Sequence, residues 1–375
     1  MSDRITRLRA AIAAEGLDAL YVSGPVDDVF GRHSANRRYL SGFTGSAGAA
    51  LVTADRAILA VDFRYLEQAA RESAPLGFEV FKAQGRDRTT FPELMREAGL
   101  AGRRVGLSRA DLSYAGFLAL QDATGEMPLG DRPELVPASP IVERLRRQKD
   151  TAERETIQSA IEIADAAMER VQASLRPGQT ERQVATAVEE AVRACGGDAV
   201  SFETIVAAGP WSALPHATPR HEAIRDGDAV VVDMGAWVGG YCSDLTRTTC
   251  AGGPSGRFLE IYSIVLAAQR NAIERVEAGM AGRDAHELAA SVIAEAGYGE
   301  QFGHGLGHGI GLEVHESPYL GPTSEDTLEE GMVFTIEPGI YLPGWGGVRI
   351  EDVVVLEGGK ARVLSHASKL IPAGV

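Results

Sequence analysis

The stretch Val230–Thr248, VVVDMGAWVGGYCSDLTRT, decides the fold. Two runs rich in β-branched residues flank a glycine-containing turn, which is the pattern of a β-hairpin. Each arm carries one aspartate, Asp233 and Asp244, next to residues that predict burial. A two-residue turn at Val238-Gly239 predicts that these aspartates face each other. Directly opposed residues bring their Cβ atoms to about 4.5–5.5 Å. Two carboxylates that close repel unless a cation lies between them. Unpaired burial of a carboxylate is also costly, so the hairpin points to a metal.

The pattern returns further along the chain. Met332–Pro338 and Val348–Leu356 flank a longer loop around Gly344, with Glu337 and Glu351 placed symmetrically about it. An offset of 104 positions carries Gly227 to Gly331, Asp233 to Glu337 and Gly235 to Gly339, so VVDMG superposes on TIEPG. The same offset takes Gly178, Thr180, Gln183, Val184 and Val188 to Gly282, Asp284, Glu287, Leu288 and Val292. Coincidence could supply the amphipathic helices but not glycines and acids in step with them. Residues 150–375 therefore read as a duplicated α+β unit with a pseudo-twofold axis and a site between its halves. Its helices carry their own start signals. Asp150 with Glu153, and Thr180 with Gln183, have capping-box spacing, and Pro177-Gly178 and Gly196-Gly197 are stop signals.

Between the hairpins lies FGHGLGHGIGLEVHE, Phe302–Glu316, which holds three of the eight histidines of the chain. Its glycines allow close backbone approach. His304 and His308 share a strand face because their separation is even, and His315 follows on a neighbouring stretch. No HExxH occurs, which removes the common zinc-protease motif. The set Asp233, Asp244, His308, Glu337 and Glu351 has one imidazole and no thiolate, too rich in oxygen for structural zinc. Such donors suit manganese, magnesium or cobalt, with zinc possible. Two ions about 3.5–4 Å apart activate water and stabilise an oxyanion.

The first 138 residues read as a separate α/β domain. Ile5, Leu8, Ile12 and Leu17 space a helix, and the apolar runs at 19–22, 49–52 and 57–61 have strand length. SGFTGSAG, Ser41–Gly48, is a glycine-rich turn without the strand–GxGxxG–helix context of a dinucleotide site. Gly125–Pro140 contains four prolines and two glycines and is expected to be a linker. The formal net charge of −15 over 375 residues argues against nucleic acid. No run has the length of a membrane span, and the charged start MSDRITRLRAAIAAEGLDAL lacks the apolar core of a signal peptide. Three cysteines without CxxC spacing are consistent with a reducing cytoplasm.

These residues resemble the M24 pita-bread metallopeptidases, in particular the Xaa-Pro branch of aminopeptidase P and prolidase. VVVDMGAWVGGYCSDLTRT is similar to the two-Asp hairpin of that family, and GHGLGHGIGLEVHE, FTIEPGIY and GVRIEDVV are similar to its His, first-Glu and second-Glu motifs. YLSGFTGSAG followed by VDFRYLEQA resembles the creatinase-type N-terminal domain. The resemblance implies an α/β creatinase-like domain over 1–138 and an α+β pita-bread catalytic domain over 139–375. It further implies that Asp233 holds one metal, that His308 and Glu337 hold the other, and that Asp244 and Glu351 bridge them. Glu337 would also shuttle a proton. His304 and His315 would line the substrate side, His216 would lie near the P1′ proline, Arg349 would support the ligands, and Tyr341 would add to the pocket wall. The implied cofactors are two divalent ions, manganese first, with cobalt or zinc as substitutes. The implied partner is a proline-containing peptide, and the implied assembly a homodimer.

Within that family, methionine aminopeptidases normally lack such an N-terminal domain, and creatinases lack the ligand set. A binding module without activity would have lost ligands. FTGSAG favours an aminopeptidase that releases the first residue from Xaa-Pro peptides. A dipeptidase restricted to Xaa-Pro is the alternative.

Overall fold

A computed structural model describes residues 3–23, 34–85 and 87–369. The chain divides into two compact units, Met1–Arg146 and Arg147–Val375.

The first unit is built on a six-stranded mixed sheet in the order Glu79–Lys82, Ala57–Val61, Ala49–Thr53, Ala19–Val22, Arg104–Leu107, Glu134–Pro137. The three apolar runs expected to be strands are strands, buried along their whole length. The helix Asp3–Ala14 buries Ile5, Leu8 and Ile12, the side that its spacing predicts. The Ser41–Gly48 turn wraps around a buried cation. Arg37 donates to Gly48 O at 2.7 Å and to Gly45 O at 2.6 Å, so the turn directs carbonyls inward. That polarity suits a guanidinium and not a phosphate.

The stretch Gly125–Pro140 is not a linker. It holds a 3-10 turn at Leu129–Asp131 and the edge strand Glu134–Pro137. A proline is tolerated at a sheet edge, where its missing N–H is not needed. The unit boundary accordingly lies at 146/147 rather than at 138/139. The helix Ile141–Arg146 buries Ile141 and Val142, and Arg146 donates to Asn36 Oδ1 at 2.8 Å, so these residues belong to the first unit.

The second unit shows the duplication directly. Its paired helices are Thr151–Ser174 with Glu181–Ala194, and Gly256–Arg275 with Gly282–Glu295. Both capping boxes form, at Asp150/Glu153 and at Thr180/Gln183. One half has the strand order Leu245–Cys250, Ala229–Met234, Ile205–Ala208. The other repeats it as Asp352–Glu357, Val333–Ile336, Gly307–Gly309, with a further strand on each side. No helix among the described residues is long and apolar enough to cross a membrane.

The offset is not uniform. In the central strands Ala229–Met234 and Val333–Ile336 it is 104, as expected, but Glu181–Ala194 matches Gly282–Glu295 with an offset of 101. The counterpart of Gly178 is thus Gly279, not Gly282. Both have positive φ, 91° and 89°, and they donate to Ile224 O and Leu328 O respectively. Three extra residues lie between the helix and Thr327 in the second copy, where Thr327 pairs with Ala281 as Ala223 pairs with Thr180. The residue in the place of Thr180 is therefore Ala281, which has no side-chain cap.

Candidate metal centre and active site

In the first hairpin the turn is Gly239-Gly240, both residues at positive φ (55° and 95°), and Val238 pairs with Tyr241. The register differs by two from the expected one, so Asp233 faces Thr246 and not Asp244. The cause is local. A turn of the I′ kind takes positive φ at both central residues, which Gly-Gly meets and Val-Gly does not. Asp244 lies where the ladder is interrupted, next to the Gly235 crossing. A Cβ on Gly235 would overlap Ser243 O, so only glycine lets the two arms approach there. In the second hairpin Ile336 pairs with Asp352 and Gly339 with Arg349, one register on both sides of the interruption. That register sets Glu337 opposite Glu351, as the symmetric placement predicted.

Asp244, His308 and Glu351 offer donor atoms that all lie within 4.8 Å of one another. His308 Nε2 is 3.3 Å from Glu337 Oε1 and 3.6 Å from Asp244 Oδ2. Asp233 joins through its other neighbour, accepting from Arg349 Nη2 at 2.7 Å. Thr246 ties the two hairpins together: its hydroxyl donates to Glu351 Oε2 at 2.8 Å and accepts from Arg349 Nε at 3.1 Å. Beneath it the buried Arg247 donates to the carbonyls of Thr246 and Glu351 and to Asp352 Oδ1.

The electrostatics are those of a site built for cations. Burial, then Glu351, Asp233 and Glu337, hold the Asp244 carboxyl well above the usual range. Burial, then Glu337 and Asp233, do the same to Glu351. Asp233 is raised by burial, against the pull of Arg349. Asp233 Oδ1 and Glu351 Oε1 are sealed from solvent without a hydrogen-bond donor. Buried carboxylate oxygens of this kind are satisfied by a metal. Glu337 is the exception. Burial works to raise it, but the hydrogen bond and charge of His308, with His304 and Arg349, bring it to about 2.

The histidine states follow from their carbonyl partners, because a carbonyl only accepts. His308 Nδ1 donates to Gly309 O at 3.1 Å, which turns Nε2 toward the carboxylates. This is the orienting contact a metal-ligating imidazole needs. Burial works to lower the pKa of His308, but Glu337 more than reverses it, so the group is raised. His304 Nδ1 donates to Gly305 O at 2.8 Å, and its Nε2 lies 3.0 Å from Tyr341 Oη, which itself accepts from Arg349 Nη1 at 2.9 Å. Burial lowers His304 and keeps it neutral, so Tyr341 donates to it. His315 stacks edge-on at 4.2 Å from His308, and burial followed by that neighbour pushes it down to about 4. The glycines of the motif make this crowding possible. A Cβ on Gly307 would overlap Thr335 O, and one on Gly309 would overlap Ser317 O.

These groups open on one cavity of about 340 Å³. Asp233, Asp244, His308, Glu337, Glu351, His216, His304, His315 and Arg349 all line it. Tyr341, buried behind, reaches it through His304 and Arg349. Sequence reading missed Thr246 and the apolar wall of Phe202, Ile205, Pro215 and Val314. Thr246 was detectable, since a Gly-Gly turn puts it opposite Asp233. The wall comes from three separate segments, the approach to and start of the strand Ile205–Ala208 and the loops at Pro215 and Val314, with no shared periodicity to reveal it.

The sequence profile of metallopeptidase family M24 matches residues 155–357, and that of the creatinase/prolidase N-terminal domain matches residues 4–148. The chain belongs to metallopeptidase family M24. It is accordingly a peptidase that depends on divalent metal. The structure of an Xaa-Pro dipeptidase from Bacillus anthracis superposes with a TM-score of 0.90 at 39% identity, covering 98% of each chain. An X-Pro aminopeptidase from Thermotoga maritima superposes with a TM-score of 0.86 at 36% identity, covering 98% of this chain and 99% of the other. An Xaa-Pro dipeptidase of Pyrococcus furiosus is 35% identical over 99% of this chain and all of its own length. The M24 pita-bread unit and the creatinase-type domain are therefore both present, as the motifs implied.

Proposed function

We propose that this M24 peptidase is an Xaa-Pro dipeptidase, which hydrolyses the bond before proline in Xaa-Pro dipeptides. The observation that carries the reading is full-length similarity to dipeptidases from two organisms, at 39% and 35% identity. It favours a dipeptidase over the aminopeptidase that FTGSAG suggested. The aminopeptidase relative at 36% identity makes release of the first residue from longer Xaa-Pro peptides the second reading.

In this reading Asp233 would hold one ion, His308 and Glu337 the other, and Asp244 and Glu351 would serve both. Bound there, such ions would supply an acidified water and polarisation of the substrate carbonyl. Oxygen-rich donors make manganese the first candidate, with cobalt or zinc as substitutes. Arg349 keeps Asp233 in place, and Arg247 holds the main chain of Glu351. Glu337, ionised at neutral pH, takes the proton from the attacking water and passes it toward the leaving proline nitrogen. A tertiary amide has no N–H of its own, so that nitrogen must be protonated as it departs. His216 is assigned to the P1′ side. Neutral His304 and His315 line the acyl side and hold the carbonyl and the tetrahedral intermediate. The working assembly is proposed to be a homodimer, which light scattering checks.

The test compares Ala-Pro with Ala-Pro-Ala as substrates of the manganese-loaded protein. Hydrolysis of the dipeptide, with the tripeptide left intact, is expected. Cleavage of the tripeptide alone overturns the dipeptidase in favour of the aminopeptidase. Cleavage of neither removes the Xaa-Pro reading.

A further inference from the structure

The loop that carries His216 is closed at both ends by one buried carboxylate. Glu181 is the first residue of the helix Glu181–Ala194, and its side chain is 1% exposed. Its Oε1 accepts from Ala208 N at 2.9 Å, where the loop begins, and its Oε2 accepts from Arg220 N at 2.8 Å, where the loop returns. The guanidinium of Arg220 adds a two-point ion pair, Nε to Oε2 at 3.0 Å and Nη2 to Oε1 at 2.8 Å. Its other face lies over Trp211 at 4.4 Å, and the Trp211 indole N–H donates to Thr218 O at 3.2 Å. Four N–H donors thus converge on one carboxylate, an arrangement that compensates its burial. None of Glu181, Arg220 and Trp211 lines the cavity.

The middle of the loop is tied on the opposite side. Ser212 Oγ accepts from Gly347 N at 2.8 Å and donates to Gly209 O at 2.6 Å. Pro215 O accepts from Arg349 Nη1 at 3.3 Å. The loop therefore spans between Glu181 and the arginine that holds Asp233, with His216 next to the Pro215 anchor.

The other half of the duplication has no such clamp. The position of Glu181 is taken by Gly282, and that of Arg220 by Ser324, which accepts from Arg283 N as Arg220 accepts from Arg182 N. A Cβ on Gly282 would collide with Tyr319 O, so the strand Glu316–Leu320 that follows His315 rests directly on the start of that helix. The ion-pair clamp belongs to one copy alone.

We infer that Glu181 and Arg220 are positioning residues that act through His216: by fixing both ends of the 208–220 loop they set the place of the imidazole on the cavity wall, and so the turnover of an Xaa-Pro substrate they never touch. The inference rests on the reading of His216 as a group on the P1′ side. A lysine at 220 keeps the charge but neither the planar fork nor the stacking, so it restores only part of the effect.

The experiment uses the full chain loaded with manganese and Ala-Pro as substrate. It compares Arg220→Ala, Arg220→Lys, His216→Ala and the double variant Arg220→Ala/His216→Ala, with metal content and unfolding temperature read in parallel. Arg220 is one-third exposed, so its variants keep the fold, which Glu181→Gln, tested alongside, need not. Arg220→Ala is expected to lower kcat by about ten- to a hundredfold, since a small misplacement far from the chemistry has effects of that size. KM and the two bound ions should stay unchanged. Arg220→Lys should fall between, and the double variant should be no slower than His216→Ala. Wild-type kcat in Arg220→Ala, loss of metal in it, or additive losses in the double variant would each overturn the clamp. Wild-type kcat in His216→Ala would instead overturn the reading of His216, and the clamp with it.

Discussion

The two hairpins of the duplicated unit start from one plan and finish with different chemistry. Asp233 and Glu337 stand at equivalent points of the two copies, Asp233 one residue before the last pair of its ladder and Glu337 one residue past the last pair of its own. Their partners across the hairpin differ: Asp233 faces Thr246, whereas Glu337 faces Glu351. The place of Asp244, opposite the glycine that follows, is held in the second copy by Arg349. Asp244 and Glu351, the two carboxylates proposed to serve both ions, are therefore not symmetry mates. One copy put its second acid two residues nearer the turn, and the other put an arginine there, which reaches back to Asp233 at 2.7 Å. Symmetry supplies the frame, and departures from it supply the unlike surroundings that leave Glu337 ionised while Asp244 and Glu351 resist ionisation.

Substitutions at matched positions break this comparison most directly. Asp244→Ala should abolish turnover and leave fewer than two ions per chain, as read by metal analysis, because the proposed role serves both ions. Near-normal turnover would remove Asp244 from the bridging pair. At its counterpart, Arg349→Met should leave the fold and the ion on the His308 side in place. It should weaken the ion on the Asp233 side by about 10- to 100-fold, the usual result of losing a group that orients a ligand. A titration with cobalt, followed by its visible absorption, separates the two steps, and equal weakening of both ions would contradict the assignment of Arg349 to one side. Thr246→Val keeps the shape but deletes the hydroxyl between the hairpins. A stability loss of about 1 kcal/mol is expected in denaturant unfolding, and no loss would show that the bond to Glu351 contributes nothing. The smallest effect sharpens the helical part of the comparison. Thr180→Ala removes a cap that Ala281 never had, at a cost of about 1 kcal/mol, while exchange of Ala281 for glycine should change unfolding by less.

The sequence exposed the frame better than the joints. Gly227 with Gly331, and Asp233 with Glu337, stayed in step because they lie in or directly beside the central strands Ala229–Met234 and Val333–Ile336, which cannot slip without turning every side chain over. The helices kept their amphipathic faces but not that step. Three residues added between helix and strand let Gly282 fall by accident at the expected offset, although Gly279 is the residue with the matching turn. The hairpin register was misjudged because Trp237-Val238 reads as loop, while the structure pairs both residues. The proline-rich stretch before the second unit failed in the same way, since four prolines hide a strand that needs few donors at its sheet edge. The acids and the histidine His308 that line the cavity were legible, being costly to bury otherwise. Thr246 was legible only through the Gly-Gly turn that sets it opposite Asp233, because a lone threonine in a strand otherwise looks like any other β-former.

The contact between Thr246 and Glu351 joins residues 105 positions apart, and the adjacent pair Arg247 and Asp352 spans the same distance. Each hairpin closes from neighbours in sequence, but this seam closes only when the two copies meet, and contacts of such separation form late. Ions that bind the joined copies and not the separate ones add their binding free energy to the seam. Chelation is then a mechanical event as well as a chemical one. It should lower the temperature at which the second unit unfolds in proportion to the logarithm of free metal, and calorimetry at several manganese concentrations measures that slope.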